Sequence, residues 1–322
     1  MRRRDFIVAL AGAASLAWSS APRAERSIPT VGLLRLAPGD PTDFFLPVFR
    51  DDLKKRGVVE GRDLRLLIVD AAGDGEGLAA AAGELAAQKP DVVVVFGDPA
   101  TRAVQQVTTS IPIVAMTDDM VGSKLVSSLA RPGSNTTGLS ILASELDVKR
   151  LGLLHEAVPH AARIGVLADR STVATRTRLE QAAQRLGVEL VVANYATSQE
   201  ALHAADQLTA AGVGAVNVLA TPLLGPVRQT VIDEFNHAGL PAIYQWPEYA
   251  RLGALIAYGP DLLACRQQVA ALVQKILSGT KPAILPVEQP AKFELIINLK
   301  TANALAINVP QLLLAQADEV IE

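Results

Sequence analysis

The sequence predicts an α/β fold made of two doubly wound parallel-sheet lobes. Its 322 residues are 50% hydrophobic but only 4% aromatic, and this balance favours alternating helices and buried strands over a β-sandwich. From Pro29 onwards, apolar runs of strand length alternate with longer helical patterns, which is the signal of parallel βαβ units. The same order of patterns then occurs a second time, so we expect two similar lobes.

The first lobe follows element by element from these patterns. The run TVGLLRL (30–36) is the first predicted strand, and DFFLPVFRDDLKKRG (43–57) is a predicted helix that ends at its glycine. The run DVVVVFG (91–97) is almost wholly apolar, as expected of a parallel strand buried on both faces. The other patterns predict strands at 63–71 and 111–116 and helices at 75–88 and 99–108.

The second lobe repeats the first at a nearly constant offset. The offsets are 133, 130, 123 and 129 residues for the pairs Gly32/Gly165, Gly57/Gly187, Pro99/Pro222 and Pro112/Pro241. The predicted elements of this lobe are a helix at 144–158 and strand-bearing segments at 163–169, 185–195, 214–227 and 240–245. Ligands of such sheets bind beyond the carboxyl ends of the strands, so two facing lobes predict a ligand cleft at that edge.

Residues 1–24 have the anatomy of an export signal. Three arginines precede an apolar run that is too short to span a membrane and ends in small residues, so we expect no stable membrane insertion after cleavage. Arg3 and Arg4 stand before Phe6 and Ile7 in the order of a twin-arginine signal, with an ordinary secretory signal as the alternative. Either route predicts an exported periplasmic protein.

Composition and charge argue against several classes of protein. The formal net charge of -3 gives no indication of a nucleic-acid partner. A single cysteine, Cys265, excludes an internal disulfide and a cysteine-based metal site. The four histidines show no ligand spacing, so we predict neither a metal ion nor a cofactor.

One segment carries a family resemblance. LARPGSNTTGLS (129–140) resembles the ARPGGN-x-TG-x-S signature of a large bacterial family of periplasmic ABC-transporter substrate-binding proteins, and the stretches 241–261, 285–305 and 312–322 are similar to it as well. Some members of that family are associated with tryptophan and other aromatic amino acids. The resemblance covers essentially the whole chain after the signal, and it implies a type I periplasmic binding fold with a separate permease and ATPase as partners.

Two departures from the family pattern bear on the ligand. Ser134 stands where glycine is usual, and LADRSTVAT (167–175) replaces a loop that is commonly rich in asparagine and proline. On these grounds the ligand need not be the one that better-known relatives bind.

The lobes are expected to be joined by a hinge of several chain crossings. We predict crossings near 131–143, 255–261 and 281–292, a first lobe of 28–140 with about 258–280, and a second lobe of 141–257 with about 281–322. The polar side chains of 129–138 then serve mainly turn and hinge structure, because they satisfy backbone groups that irregular chain leaves unpaired.

Loops after the first-lobe strands supply candidate ligand residues. Asp98 is expected at a helix N-cap, where the N–H groups of Ala100 and Thr101 suit a ligand carboxylate, although a cap needs no function. Thr117 and Asp118 follow the strand at 111–116, and the acid either binds an ammonium group or caps the next helix.

The second lobe contributes a complementary set. Thr221 repeats the capping position, and Asp169, Arg170 and Ser171 follow the strand at 163–169. Arg170 suits bidentate recognition of a carboxylate, with a solvated surface arginine as the alternative. The aromatic residues Tyr244, Trp246 and Tyr258 are expected either to line the side-chain end of the ligand or to pack under the hinge.

Together these residues predict a periplasmic solute-binding component of an ABC importer. It would capture an amino acid or a related small carboxylate between its lobes by closing them, without catalysis of its own. The alternatives are an exported enzyme that uses the interlobe acids, against which no nucleophile–base motif occurs, and the ligand-sensing domain of a regulator with the same fold.

Overall fold

The computed structural model describes residues 28–36, 41–71, 76–169, 173–221 and 223–322. Five parallel strands form the first sheet in the order β2-β1-β3-β4-β5. They are β1 (Thr30–Arg35), β2 (Arg65–Asp70), β3 (Val92–Phe96), β4 (Ile113–Thr117) and β5 (Thr136–Ser140). The helices that follow its first strands are α1 (Pro41–Lys55), α2 (Glu76–Ala87) and α3 (Asp98–Val107).

Seven strands form the second sheet, in the order β12-β11-β10-β9-β8-β6-β7. They are β6 (Arg163–Asp169), β7 (Glu189–Tyr195), β8 (Ala215–Val218), β9 (Ala242–Tyr244), β10 (Ile256–Pro260), β11 (Phe293–Asn298) and β12 (Glu319–Ile321). Only the pair of β10 and β11 is antiparallel among the described strands. The helices are α4 (Asp147–Ala157), α5 (Val173–Leu186), α6 (Ser198–Ala210), α7 (Arg228–His237), α8 (Pro247–Arg251), α9 (Leu262–Leu277), α10 (Leu299–Ala304) and α11 (Gln311–Gln316).

The first five strands of both sheets share one order, since β7-β6-β8-β9-β10 repeats β2-β1-β3-β4-β5. The predicted α/β class, with two doubly wound and mainly parallel sheets, is confirmed. We call each sheet with the helices on its faces a lobe. The helix α9 packs on α1 and on β3 to β5, so it belongs to the first lobe although it follows β10 in the chain.

Two glycines mark corresponding places in the lobes, where the last parallel strand approaches its neighbour without room for a side chain. A Cβ on Gly138 of β5 would lie 1.8 Å from the backbone oxygen of Ala115, and a Cβ on Gly259 of β10 would lie 1.9 Å from that of Gln245. Backbone atoms cannot move aside as a flexible side chain can, so both positions require glycine.

The predicted crossings are shorter than expected, and the first prediction was wrong in its extent. Thr136–Ser140 is a fully buried strand, because β-branched and apolar residues pair with β4 there, and the crossing begins only at Ile141. Residues 256–260 likewise pair within the second sheet as β10, so the second crossing lies at Asp261. Glu288 still bridges to Leu139 of the first sheet, which confines the third crossing to 289–292.

The polar residues of the signature segment satisfy backbone at the amino-terminal edge of the first sheet. Asn135 Nδ2 donates to the carbonyls of Thr108 at 3.2 Å and Ile111 at 2.8 Å, and Thr137 Oγ1 donates to that of Leu285 at 2.7 Å. This edge lies opposite the carboxyl ends where a ligand is expected, so the segment serves the fold.

Candidate functional site

A cavity lies between the two lobes at the carboxyl ends of their strands. It has about 710 Å³ of empty space, including the part that opens to solvent. From the first lobe and the first crossing it is lined by Phe44, Phe96, Gly97, Met116, Thr117, Asp118, Ile141 and Ala143. From the second lobe and α9 it is lined by Ala220, Thr221, Gly225, Arg228, Trp246, Glu248, Tyr249, Leu262 and Arg266.

Aromatic side chains line this cavity far more densely than the rest of the chain. Phe44, Phe96, Trp246 and Tyr249 face it, although the whole chain has only two tryptophans, four tyrosines and seven phenylalanines. Phe44 lies in the cavity because it faces away from the lobe core in α1, whereas the adjacent Phe45 is buried in that core. The cavity therefore offers several ring faces to an apolar or aromatic group.

Two arginines meet one phenyl ring at the cavity. The guanidinium carbon of Arg228 lies 4.3 Å from the ring centroid of Phe44, and that of Arg266 lies 5.6 Å from it, both within cation–π range. Arg266 also forms an ion pair with Glu248, with 3.3 Å between Nη2 and Oε1. Because Phe44 and Arg266 belong to the first lobe and Arg228 and Glu248 to the second, these contacts join the lobes across the cleft.

Arg228 differs from Arg266 in having no acidic partner among the described residues. Its Nη1 donates to the backbone carbonyl of Gly225 at the start of the same helical segment. A guanidinium that lines a cavity without a carboxylate partner is suited to bind the carboxylate of a ligand.

The first-lobe side of the cavity is acidic. The Asp118 carboxylate accepts hydrogen bonds from the N–H of Ser144, at 2.9 Å, and from its hydroxyl, so it caps the short 3₁₀ helix of the first crossing. A carboxylate has about four acceptor sites, so this cap leaves capacity for a ligand donor. Thr117 is buried beside it, and its hydroxyl lies by the Asp98 carboxyl, where it opposes the rise in that group's pKa.

Asp98 lies close to this group without lining the cavity. Burial raises the pKa of its carboxyl, against the opposing effects of the Ser123 hydroxyl and of Arg102. The N-cap of α3 is Gly97, so Asp98 is the first helical residue and not the predicted cap.

The structure places other predicted ligand residues away from the cavity. Ala100 is buried in the first-lobe core, and Thr101 donates its hydroxyl to the Gly97 carbonyl at 2.8 Å. Tyr244 is buried against Tyr249, with ring centroids 5.9 Å apart, and so supports the cavity wall from behind. Tyr258 lies on the far side of β10, where its hydroxyl accepts a hydrogen bond from Lys149.

The structure does not show three predicted residues of the second lobe in the cavity. Asp169 is buried at the end of β6 and borders a separate small pocket beside α5. Arg170 and Ser171 lie outside the described residues. Of the twelve predicted residues, the cavity thus brings together Thr117, Asp118, Thr221 and Trp246.

Sequence reasoning missed the cavity residues that come from α7 and α9. Arg228, Leu262 and Arg266 lie on α7 and α9, while the prediction searched the loops directly after strands. The position of Arg266, one turn into the helix after the second crossing, is the signal that could have identified it.

The fold and the cavity define a two-lobed binding protein whose ligand site lies between the lobes. A family profile described as "ABC transporter substrate binding protein" matches residues 31–321, and the chain belongs to this family. It is therefore the solute-binding component of an ABC transporter.

Known proteins similar to this chain agree with that assignment. A protein of Clostridioides difficile (strain R20291) described as "Tyrosine-binding protein" is 28% identical over 85% of this chain and 80% of its own length. A conserved domain protein of Vibrio cholerae is 28% identical, with a TM-score of 0.82 over 91% of this chain and 100% of that one. An ABC domain from Streptococcus pneumoniae in complex with L-Trp is 23% identical, with a TM-score of 0.78 over 92% and 100%.

The described residues include no helix long and apolar enough to cross a membrane.

Proposed function

We propose that this protein captures an aromatic amino acid in the interlobe cavity and delivers it to the permease and ATPase of an ABC importer. The observation that carries the proposal is a cavity that combines several aromatic walls with Arg228, a guanidinium without an acidic partner in the described chain. Together with the Asp118 carboxylate, these groups make the cavity complementary to a zwitterion with an apolar side chain.

The aromatic walls favour a ligand with a ring. Trp246 and Tyr249 lie on the second lobe, and Phe44 and Phe96 lie on the first, so closing the lobes would enclose an apolar group from both sides. Offset and edge-on ring pairs add about 0.5–1.5 kcal/mol each beyond the burial of area. The relative at 28% identity, described as binding tyrosine, supports the same class of ligand.

The charges favour an α-amino acid over a neutral ring compound. Arg228 is suited to the ligand carboxylate, while the Asp118 carboxylate is suited to its ammonium group. A sugar would leave the guanidinium without an anion in a closed site, and such a loss of charge pairing is costly.

The place of action in this proposal is the periplasm. The export signal expected in residues 1–24 lies outside the described residues, and the family assignment supports a role outside the cytoplasm. The two lobes would close over the ligand by rotation about the three crossings, and the permease would recognise the closed form.

A binding experiment with matched ligands tests the proposal. Protein refolded from denaturant, and so freed of any ligand, is titrated in a calorimeter with L-tyrosine, L-tryptophan, L-phenylalanine, L-leucine and glucose. Tyramine lacks the carboxylate of tyrosine, and 4-hydroxyphenylpropionate lacks its ammonium group. The aromatic amino acids should bind and raise the unfolding temperature. At a free ligand concentration a hundredfold above Kd, binding adds about 2.7 kcal/mol to the free energy of unfolding.

Both truncated analogues should bind at least roughly tenfold more weakly than tyrosine, because each leaves one charged group of the site unpaired. Tight binding of leucine with none of the aromatic amino acids would contradict the ring assignment. Binding of glucose alone would overturn the proposed class of ligand.

A further inference from the structure

A buried ion pair lies between the cavity and the hinge, and the ligand assignment does not use it. Arg150 and Asp147, both on α4, are fully buried and hydrogen-bonded to each other. Arg150 is among the largest fully buried side chains of the described protein. Neither residue lines the cavity. Ala143 does line it, and its carbonyl accepts a hydrogen bond from Arg150.

The guanidinium of Arg150 joins two of the chain crossings. Its Nη2 donates to the carbonyl of Ala143 in the first crossing at 2.7 Å, and its Nη1 donates to the carbonyl of Tyr258 in β10 at 3.0 Å, just before the second crossing. The neighbouring Lys149 contacts Tyr258 as well, with Nζ 2.8 Å from its hydroxyl oxygen. One turn of α4 therefore fixes the spacing between the first crossing and the end of β10.

The third crossing is tied to the second. β10 and β11 pair over residues 256–260, and the N–H of Asp261 continues this ladder by donating to the carbonyl of Lys292 at 3.1 Å. Arg150 thus completes a chain of hydrogen bonds that spans all three crossings.

On the cavity side, the first crossing is also held from the first lobe. The N–H of Leu142 donates to the Asp118 carbonyl at 2.9 Å, and the Asp118 side chain caps Ser144. Leu142 adopts φ 48°, in the left-handed region that non-glycine residues rarely occupy. First-lobe contacts at Leu142 and Ser144 therefore flank the Arg150 contact at Ala143, so this crossing is held from both lobes.

The ion pair is a poor choice if its only role is stability. Arg150 Nε has no hydrogen-bond partner in the described chain, and burial raises the pKa of Asp147 to about 6 despite the adjacent guanidinium and the backbone N–H of Ala220. Buried ion pairs that are incompletely satisfied are commonly no more stable than apolar residues of similar volume. An apolar pair could not hold the carbonyls of Ala143 and Tyr258 at a fixed spacing, because it has no donors.

We infer that Arg150 is a positioning residue for solute capture, which holds the first and second crossings in register so that the lobes close as one rotation. The inference rests on capture by lobe closure, as proposed above. Without Arg150 the crossings move independently, and the closed arrangement that binds the solute becomes a smaller fraction of the ensemble. Apparent affinity then falls in proportion to that fraction, whatever the ligand.

The test uses a double variant, Asp147→Leu with Arg150→Met, which removes both charges and leaves no buried ion unpaired. Arg150→Lys, which keeps the charge but loses the planar fork, is the second variant. Leu208→Ala on α6 serves as the control, since it weakens the second-lobe core without contacting a crossing. Spin labels on Gln106→Cys and Gln184→Cys, both exposed and on opposite lobes, report the interlobe distance with Cys265 left buried.

The double variant should broaden the distribution of interlobe distances in the ligand-free protein. It should also raise the Kd for tyrosine and the Kd for tryptophan by the same factor, about fivefold or more. Leu208→Ala should lower the unfolding temperature and leave both readouts as in the parent. A folded double variant with the parent's distances and affinities would overturn the inference. If no amino acid binds the parent, the proposed ligand class fails, while the distance measurement still decides the role of Arg150.

Discussion

Replacement of Arg228 by methionine is the most direct test of how the cavity recognises its ligand. Methionine keeps a long, flexible and largely apolar side chain but carries no charge, so the change removes mainly the guanidinium. Loss of one hydrogen bond to a charged group costs about 1.5–3 kcal/mol, which corresponds to a roughly ten- to hundredfold rise in the Kd for tyrosine.

A second effect of the same variant must be separated from the first. The Arg228 guanidinium lies 4.3 Å from the Phe44 ring centroid across the cleft, and its loss weakens lobe closure by about 0.5–2 kcal/mol for every ligand. Calorimetry with tyramine, which has no carboxylate, gives the change in affinity that does not depend on that group; here the loss of an unpaired guanidinium offsets part of the weaker closure. The excess loss of affinity seen with tyrosine then measures what the guanidinium gains by pairing with the carboxylate.

Arg102→Met is the matched control. Arg102 is exposed on α3 and donates to the Ser123 carbonyl, outside the cavity, so its replacement should change the Kd for tyrosine by less than about twofold. Equal losses for tyrosine and tyramine in Arg228→Met would show that the arginine acts only on closure. An unchanged Kd for tyrosine would refute the assignment of Arg228 altogether.

Four further predictions concern lobe closure, export and stability. Saturating tyrosine should reduce the radius of gyration measured by small-angle scattering, and an identical profile would count against lobe closure. Replacing Arg3 and Arg4 by lysine should block export if the twin-arginine route is used, as fractionation would show; efficient export would indicate the ordinary secretory route. Gly138→Ala should destabilise by about 1–3 kcal/mol in urea unfolding because its Cβ meets the Ala115 backbone, whereas Gly83→Ala, with open space in α2, should stabilise by about 0.5–1 kcal/mol. Burial raises the Asp147 pKa from 3.8 to about 6, so its contribution to stability is present below pH 4 and lost as the pH rises to 6; Asp147→Asn should remove this decline from the pH dependence of the unfolding free energy.

The fold was predictable because the signals that define it are local. A run such as 91–97 is too short and too apolar for anything but a buried strand, and β3 occupies 92–96. The repeated glycine and proline landmarks predicted two lobes of one topology, and the strand orders agree. The ends of the crossings were less predictable, since β5 is a strand only because β4 lies beside it to pair with.

The ligand residues were only partly predictable, because strand ends locate a loop but not the direction of its side chains. Trp246 and Tyr244 are two residues apart, yet Tyr244 packs into the core of the second lobe and Trp246 reaches the cavity after the strand has ended. Arg228 and Arg266 come from helices that approach the cleft from opposite lobes, and no spacing in the sequence places them on one phenyl ring.

The family signature begins at the edge of the first sheet opposite the cavity and reaches the cavity only at its last residue, Ser140, whose hydroxyl donates to the Asp118 carbonyl at 3.0 Å. This has a consequence for specificity. Ser134 is exposed at the amino-terminal edge of the first sheet, where its hydroxyl donates to Asn135 Oδ1 at 3.3 Å, so its difference from the usual glycine does not alter the cavity. Asn135 and Thr137 of this segment pair with backbone carbonyls, so they hold the turn and β5 in place independently of the ligand. In the site proposed here, ligand choice depends instead on positions such as Phe44, Arg228 and Trp246, which line the cavity. Relatives that share the signature can therefore differ in ligand, and these three positions are where that difference would be measured.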